Sequence, residues 1–271
     1  MKIIISHDVD HLYPSEHIFR DLYFPKLYIR SFLELIKVKI NIRIFLNRIV
    51  SLFEKKMNRI PEIIEFERQM NIPSTFFFGM ANALGLSYKT KNAQKWIEYV
   101  RKNNFDVGVH GIDYNNPENE FKTFKMITGL EDFGIRMHYV RYDDETFEKL
   151  ATIGYLYDCS EFNKKETELK DVYKIGEMWE FPLHIMDKYV LRNGLLKAKD
   201  ETLDALRVAK ENKIKYFTLL FHDDLFDEKT YPMYKEYYEW FINYCISNRN
   251  GDDFQFVSYK DAVHELNSLI K

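Results

Sequence analysis

The segment Ser6-His7-Asp8-Val9-Asp10-His11 places two carboxylates two residues apart. Along an extended strand side chains alternate, so Ser6, Asp8 and Asp10 share one face. Carboxylates held that close repel each other unless a cation sits between them. The pattern suits a divalent-metal ligand beside a general base, the pairing that metal-assisted hydrolysis requires. The plainer reading is that one of the two caps the next segment. Further groups recur where short apolar runs stop: His110, then Arg136 and His138, Asp158, Glu180 and His184, and His222. A lone histidine at a strand end is more often a hydrogen-bonded structural residue than a ligand. Acids, imidazoles and one arginine at successive strand ends carry more weight, because parallel barrels build their sites there. His7, His11, His17 and His264 are read as structural.

Positioning those ends requires strands near 2–8, 74–79, 105–110, 134–141, 154–158, 178–186, 215–221 and 254–258. Amphipathic stretches predict helices over 60–70, 92–103, 144–153, 200–211, 231–247 and 259–270. Strand, helix, strand in succession argues parallel pairing with right-handed crossovers. About eight strands in one α/β chain favour a distorted (β/α) barrel. No repeat, low-complexity tract or linker divides the 271 residues, so 1–271 is expected to form one barrel domain. Residues 12–59 are the exception and read as an inserted, helical segment. Between Pro25 and Lys56, eight basic residues stand against Glu34 and Glu54, a local +6 in a chain of formal net charge −3. Apolar residues interleave with these cations, which suits an amphipathic helical hairpin, although KVKINIRI also permits a short strand. The bland reading is a solvated basic face. The functional one is a surface for anionic lipid headgroups or a phosphate-bearing substrate.

Composition narrows the class. Hydrophobic residues at 46% and charged residues at 30% suit a packed core and exclude a disordered chain. A net charge of −3 gives no global case for binding nucleic acid. Cys159 and Cys245 are the only cysteines, too few for a disulfide framework or a cysteine zinc site. Aromatics at 16% can fill a core or stack on sugar rings. The opening MKIIISHDVD is too short for a signal-peptide apolar region. No run approaches the roughly 18 apolar residues of a membrane span. The expectation is a cytoplasmic protein, with peripheral contact at the inner membrane face through residues 25–56 as the further option.

The order SHDVDH, IPSTFFF, FDVGVHG, GIRMHYVRYD, GYLYDCS, EFPLHIMD and FTLLFHDD resembles the polysaccharide deacetylase family, also called NodB-homology or carbohydrate esterase 4. The resemblance covers nearly the whole chain, with 12–59 as the main extra segment. It implies a distorted (β/α) barrel of that type and metal-dependent removal of N-acetyl groups from sugars. It assigns the base to Asp8, a metal ligand to Asp10, and the first histidine of an H-x-x-x-H motif to His110. It makes Arg136 the partner that orients the base and His222 the general acid. Two positions depart from the family pattern: its second metal histidine falls on Tyr114, and a proline falls on His138. Tyrosine is a poor zinc ligand because its phenol loses a proton only near about pH 10. His138 and Asp113 are the nearest replacements, and an Asp10, His110 and His138 set would leave an open position for water.

Tyr114, Tyr139, Asp158, Glu180 and His184 are expected to meet the substrate, with a turn-capping role as the alternative for Asp158 and Ser160. Asp223 and Asp224 either raise the pKa of His222 or form a solvated loop. The expected cofactor is a divalent metal ion, zinc first, with manganese or cobalt also acceptable to the oxygen-rich side. The expected function is hydrolysis of an N-acyl group on an N-acylated sugar or sugar-lipid intermediate of surface-polysaccharide biosynthesis. The alternatives are a catalytically silent carbohydrate-binding barrel, for which Tyr114 is the best support, and a small-molecule cyclic-amide hydrolase.

Overall fold

The computed structural model describes residues 1–17, 22–82, 86, 88–162, 169–248 and 254–270. Its strands are β1 (Lys2–Val9), β2 (Ser74–Gly79), β3 (Asp106–Gly111), β4 (Ile135–Met137), β5 (Tyr157–Asp158), β6 (Tyr173–Ile175), β7 (Met178–Glu180), β8 (Ile185–Met186), β9 (Tyr216–Leu220) and β10 (Gln255–Phe256). They form one sheet in the order β6-β7-β5-β4-β3-β2-β1-β9-β8, with β10 also beside β1. Each pairing is parallel except that of β6 with β7. The sheet curls until one parallel bridge, Phe162 to Leu183, links its two sides. This is the distorted (β/α) barrel that the strand–helix alternation implies.

The helices are α1 (Tyr23–Ile36), α2 (Ile42–Val50), α3 (Ile60–Met70), α4 (Thr90–Lys102), α5 (Pro117–Thr128), α6 (Asp144–Ile153), α7 (Asp187–Val190), α8 (Leu195–Glu211), α9 (Pro232–Ser247) and α10 (Tyr259–Ile270). Among the described residues, no helix is long and apolar enough to cross a membrane. The central strand β1 buries Ile3, Ile4 and Ile5 completely, as a parallel strand covered on both faces must. In α4 the buried residues Ala93, Trp96, Ile97 and Val100 recur with helical period, one stripe against the sheet.

Two expected strands are corrected, and one further helix appears. The strand over 134–141 stops at Met137, because Tyr139 and Val140 adopt left-handed φ values of 61° and 47° and turn the chain out of the sheet. The run 178–186 splits into β7 and β8 around Pro182, which has no N–H to give a sheet. Residues 117–128, which no periodicity had marked, form α5, with Pro117 in its first turn and Gly129 closing it at φ 66°. The inserted segment is helical over α1 and α2, so the short strand in KVKINIRI is not formed; residues 18–21 lie outside the described ones.

A buried polar knot joins the layers. Glu67 on α3 is fully buried, with its Oε1 2.9 Å from His7 Nε2 on β1. Ser74 Oγ on β2 donates to Glu67 Oε2 at 2.6 Å, and the Tyr238 hydroxyl on α9 donates to Oε1. His7 Nδ1 donates in turn to the Phe221 carbonyl at 3.0 Å. Removing the carboxylate strands three buried polar partners at once. Glu67→Ala is therefore expected to lower unfolding free energy by about 3–5 kcal/mol, measured by urea denaturation. A loss under about 1 kcal/mol would show that water or repacking replaces the knot.

Candidate functional site

The chemistry-bearing side chains sit at the C-terminal ends of parallel strands. Asp8 is the penultimate residue of β1 and Asp10 follows the strand; His110 is the penultimate residue of β3, Arg136 lies in β4, and His138 just beyond β4. Asp187 follows β8 and His222 follows β9. The β3–β4 register sets His110 beside Arg136, and β1 pairs with both β2 and β9, so these ends converge.

Arg136 is the anchor of the group. It is fully buried, and its Nη1 donates to Asp8 Oδ1 at 2.8 Å. Its Nη2 donates to Ser6 Oγ at 2.7 Å and to the Tyr259 hydroxyl at 3.1 Å, and its Nε to the Cys159 carbonyl at 3.2 Å. The guanidinium lies 4.7 Å over the ring of Phe77. That ring needs room: a Cβ on Gly108 would come within 2.6 Å of it and 2.9 Å of the Gly134 carbonyl. Burial would raise the Asp8 pKa, but His110 and Arg136 hold it below the ordinary carboxylate value. Asp8 is thereby kept ionised and fixed in orientation.

Asp10, His110 and His138 each present one donor atom, all within 4.8 Å of one another. His110 Nε2 is 3.4 Å from Asp10 Oδ1 and 2.9 Å from His138 Nδ1, and His138 Nδ1 is 3.8 Å from Asp10 Oδ1. A tetrahedral zinc with ligands at about 2.0–2.1 Å spaces them roughly 3.3 Å apart. The three separations bracket that value. Asp10 Oδ1 is buried and receives no hydrogen bond of regular geometry. His110 Nδ1 donates to the Arg136 carbonyl at 3.1 Å, which in the neutral ring leaves Nε2 turned to the group with its lone pair. Burial opposes a positive His110, yet Asp8 and Asp10 raise its pKa; Asp10, despite burial, is held well below its ordinary value by Lys188 and His110. The residues fit a divalent cation.

His222 stands across from them. Its Nδ1 donates to Asp187 Oδ1 at 2.8 Å, its backbone N–H donates to Asp187 Oδ2 at 2.7 Å, and its Nε2 lies 3.7 Å from Asp10 Oδ2. Burial would lower the His222 pKa, but Asp187 raises it. The carboxylate that tunes this histidine is thus Asp187, correcting the choice of Asp223 and Asp224. Those two are buried rather than solvated, with Arg59 N–H donating to Asp223 Oδ2 at 3.1 Å. Lys188 Nζ reaches Asp10 Oδ2 at 3.4 Å. Asp187 obeys the same strand-end rule as the other residues, directly after the strand that ends at Met186, and the sequence reading passes it over for Glu180 and His184. Lys188 has no sequence signal.

The expected substrate contacts divide. Tyr139 is 57% exposed, packs against His138 with ring centres 3.9 Å apart and the rings tilted by 42°, and carries Arg141 over its face. Tyr114 is 37% exposed, and its hydroxyl accepts from Thr146 Oγ1 at 2.7 Å. Both line a cavity of about 110 Å³ together with Ile112, Met137, His138 and Arg141. Asp158 and Glu180 are corrected: both are fully buried and offer no surface to a substrate. They face each other across β5 and β7, and burial raises both pKa values, so the pair retains a proton. Asp158 Oδ1 accepts from Ser160 Oγ at 2.6 Å, and Ser160 Oγ accepts from Met137 N–H at 2.8 Å, which fixes the turn leading to His138. His184 is also corrected. It sits at the start of β8 with Nδ1 accepting from Thr218 N–H at 3.1 Å and Nε2 donating to the Lys170 carbonyl at 2.9 Å.

The fold has known counterparts. Over 99% of this chain and 90% of theirs, it superposes on a Mycobacterium smegmatis crystal structure assigned to the polysaccharide deacetylases, with TM-score 0.62 and 12% identity. The polysaccharide deacetylase Bc1974 from Bacillus cereus aligns more loosely, at TM-score 0.44 and 14% identity over 74% of this chain and 85% of that one. The 4-alpha-glucanotransferase of Thermococcus litoralis aligns at TM-score 0.51 and 15% identity, over 96% of this chain and 40% of that one. No family model matches the chain, and no curated protein matches it by sequence. The chain has the polysaccharide deacetylase fold. Because one fold carries differently named activities, function must be argued from the side chains.

The structural role of His184 has a pH signature. Burial pushes its pKa down to about 4 from 6.5, so the folded state keeps it neutral where the unfolded chain takes a proton. Stability from this residue is present above pH 6.5 and is lost as pH falls toward about 4, by about 3 kcal/mol in all. Urea denaturation across that window should show a shallower pH slope for His184→Gln than for the native chain. Equal slopes would mean that His184 titrates normally.

Proposed function

We propose that this protein is a metal-dependent hydrolase that removes an N-acyl group from a sugar. The observation that carries the reading is the position of two second-partner pairs, Asp8–Arg136 and His222–Asp187, each within 3.8 Å of the Asp10–His110–His138 group. A divalent ion held by those three residues, zinc by its ligand set, would supply a Lewis acid for the acyl carbonyl. Asp8, ionised and immobilised by Arg136, takes the proton of the attacking water. His222, with Nδ1 committed to Asp187, gives the proton on Nε2 to the departing amine nitrogen. The exposed rings of Tyr139 and Tyr114 beside the cavity are suited to stacking on a sugar.

An N-acylated sugar, free or lipid-linked during surface-polysaccharide assembly, is the substrate class this reading takes. A silent carbohydrate-binding barrel has two observations in its favour, Tyr114 at the place of the family's second histidine and the ammonium of Lys188 already 3.4 Å from Asp10 Oδ2. Metal content separates the two. Elemental analysis of the purified chain should find about one divalent ion per molecule, absent from Asp10→Ala; no metal in either would favour the silent barrel. His222→Ala should fold normally, whereas Asp8→Asn leaves the buried Arg136 charge unmatched and should lose about 3–5 kcal/mol of stability in urea denaturation. Both folded variants should release acetate from N-acetyl sugars at least about a hundredfold more slowly. Near-normal turnover by either variant would end the assignment of roles.

A further inference from the structure

The α1–α2 hairpin carries an apolar face that points away from the core. On α1 the residues Ile29, Phe32, Leu33 and Ile36 follow helical spacing and are 49–64% exposed. On α2 and the turn after it, Ile42, Leu46, Val50 and Phe53 do the same at 53–81% exposure. The inner side of the hairpin buries Phe24, Leu27 and Ser31 of α1 and Arg48 of α2, with Arg48 Nη1 donating to Glu34 Oε2 at 2.6 Å. At the tip, Val38 is 88% exposed in a left-handed conformation (φ 55°), which a β-branched residue rarely adopts. Ten of the seventeen exposed large hydrophobic residues among those described fall between Leu22 and Phe53. A patch so concentrated marks an interaction surface.

Charge decides the occupant. Lys26, Arg30, Lys37, Lys39 and Arg43 are all exposed on the same hairpin. Its two acids are engaged, Glu34 by Arg48 and Glu54 by Arg59, both at 2.6 Å. A second copy docking through a two-fold interface would bring these cations against their equivalents, which like-charge repulsion opposes. An anionic bilayer takes both components: apolar side chains enter the headgroup–acyl boundary and cations meet lipid phosphates.

We propose that the outer face of the α1–α2 hairpin docks on an anionic membrane surface. The hairpin is clasped to the loop after β9, with Asn47 Nδ2 donating to the Lys229 carbonyl at 3.0 Å and Arg48 Nε to the Thr230 carbonyl at 2.9 Å. That loop also carries His222, so the hairpin is fastened to the end of the barrel that bears the candidate site. Docking itself stands apart from the hydrolase reading, because its test reads binding and not turnover.

The test is co-sedimentation with vesicles of equal parts phosphatidylcholine and phosphatidylglycerol, against phosphatidylcholine alone, at low and high salt. Binding is expected on the anionic vesicles and should weaken with salt. The charge variant K37E/K39E/R43E should bind roughly a hundredfold more weakly, three cations contributing about 1 kcal/mol each. The apolar variant F32S/I36S/L46S should also lose binding, and thermal melts of both should match the native chain because every substituted position is exposed. Absence of binding at low salt, or native binding by both variants, would overturn the proposal. Sedimentation velocity showing a stable dimer that the apolar variant dissolves would overturn it too, assigning the face to a second copy of the chain.

Discussion

The site depends on one buried cation. Arg136 is fully enclosed, and an enclosed guanidinium is tolerable only if its charge and its donors are matched. Asp8 neutralises it, Ser6, Tyr259 and the Cys159 carbonyl absorb remaining donors, and Phe77 lies beneath it. These partners come from β1, β2, α10 and the segment after β5, so the ion pair holds together elements far apart in sequence. The same requirement orients Asp8: with Oδ1 claimed by the arginine, Oδ2 is left toward His110 at 3.8 Å.

Histidine orientation follows from similar accounting. His110 turns Nε2 inward because Nδ1 has a carbonyl acceptor on the adjacent strand, placed there by the β3–β4 register. His222 turns Nε2 inward because Asp187 takes both its Nδ1 and its backbone N–H. In each case a partner behind the ring decides which nitrogen is presented for chemistry. The ordinary requirement that buried polar groups be satisfied therefore builds the reactive face.

The hairpin shows the converse. Its buried side is satisfied through Arg48, Glu34 and Thr230, yet the residues with most apolar surface face outward. Folding of the barrel does not call for that arrangement, since the core elsewhere is closed by the sheet and its flanking helices. The proposed membrane docking would cover that apolar face.

What is legible in the sequence depends on the range of the interaction concerned. Alternation of apolar runs and amphipathic stretches is local, and it already implied a distorted (β/α) barrel with a helical insertion at 12–59. The two-residue spacing of Asp8 and Asp10 is also local, and strand-end position singled out His110, Arg136, His138 and His222 without any contact being known. Asp187 stands directly after the strand ending at 186 and is legible by the strand-end rule, although the sequence reading draws Glu180 and His184 from that run instead, whereas Lys188 has no sequence signal. Asp158, Glu180 and His184 looked available for a substrate because a strand pattern cannot say which polar side chains are sealed beneath the next layer. Residue type and spacing determine which chemistry is available; the tertiary structure alone decides which atoms face one another, because burial and hydrogen-bond partners come from segments that the chain order keeps apart.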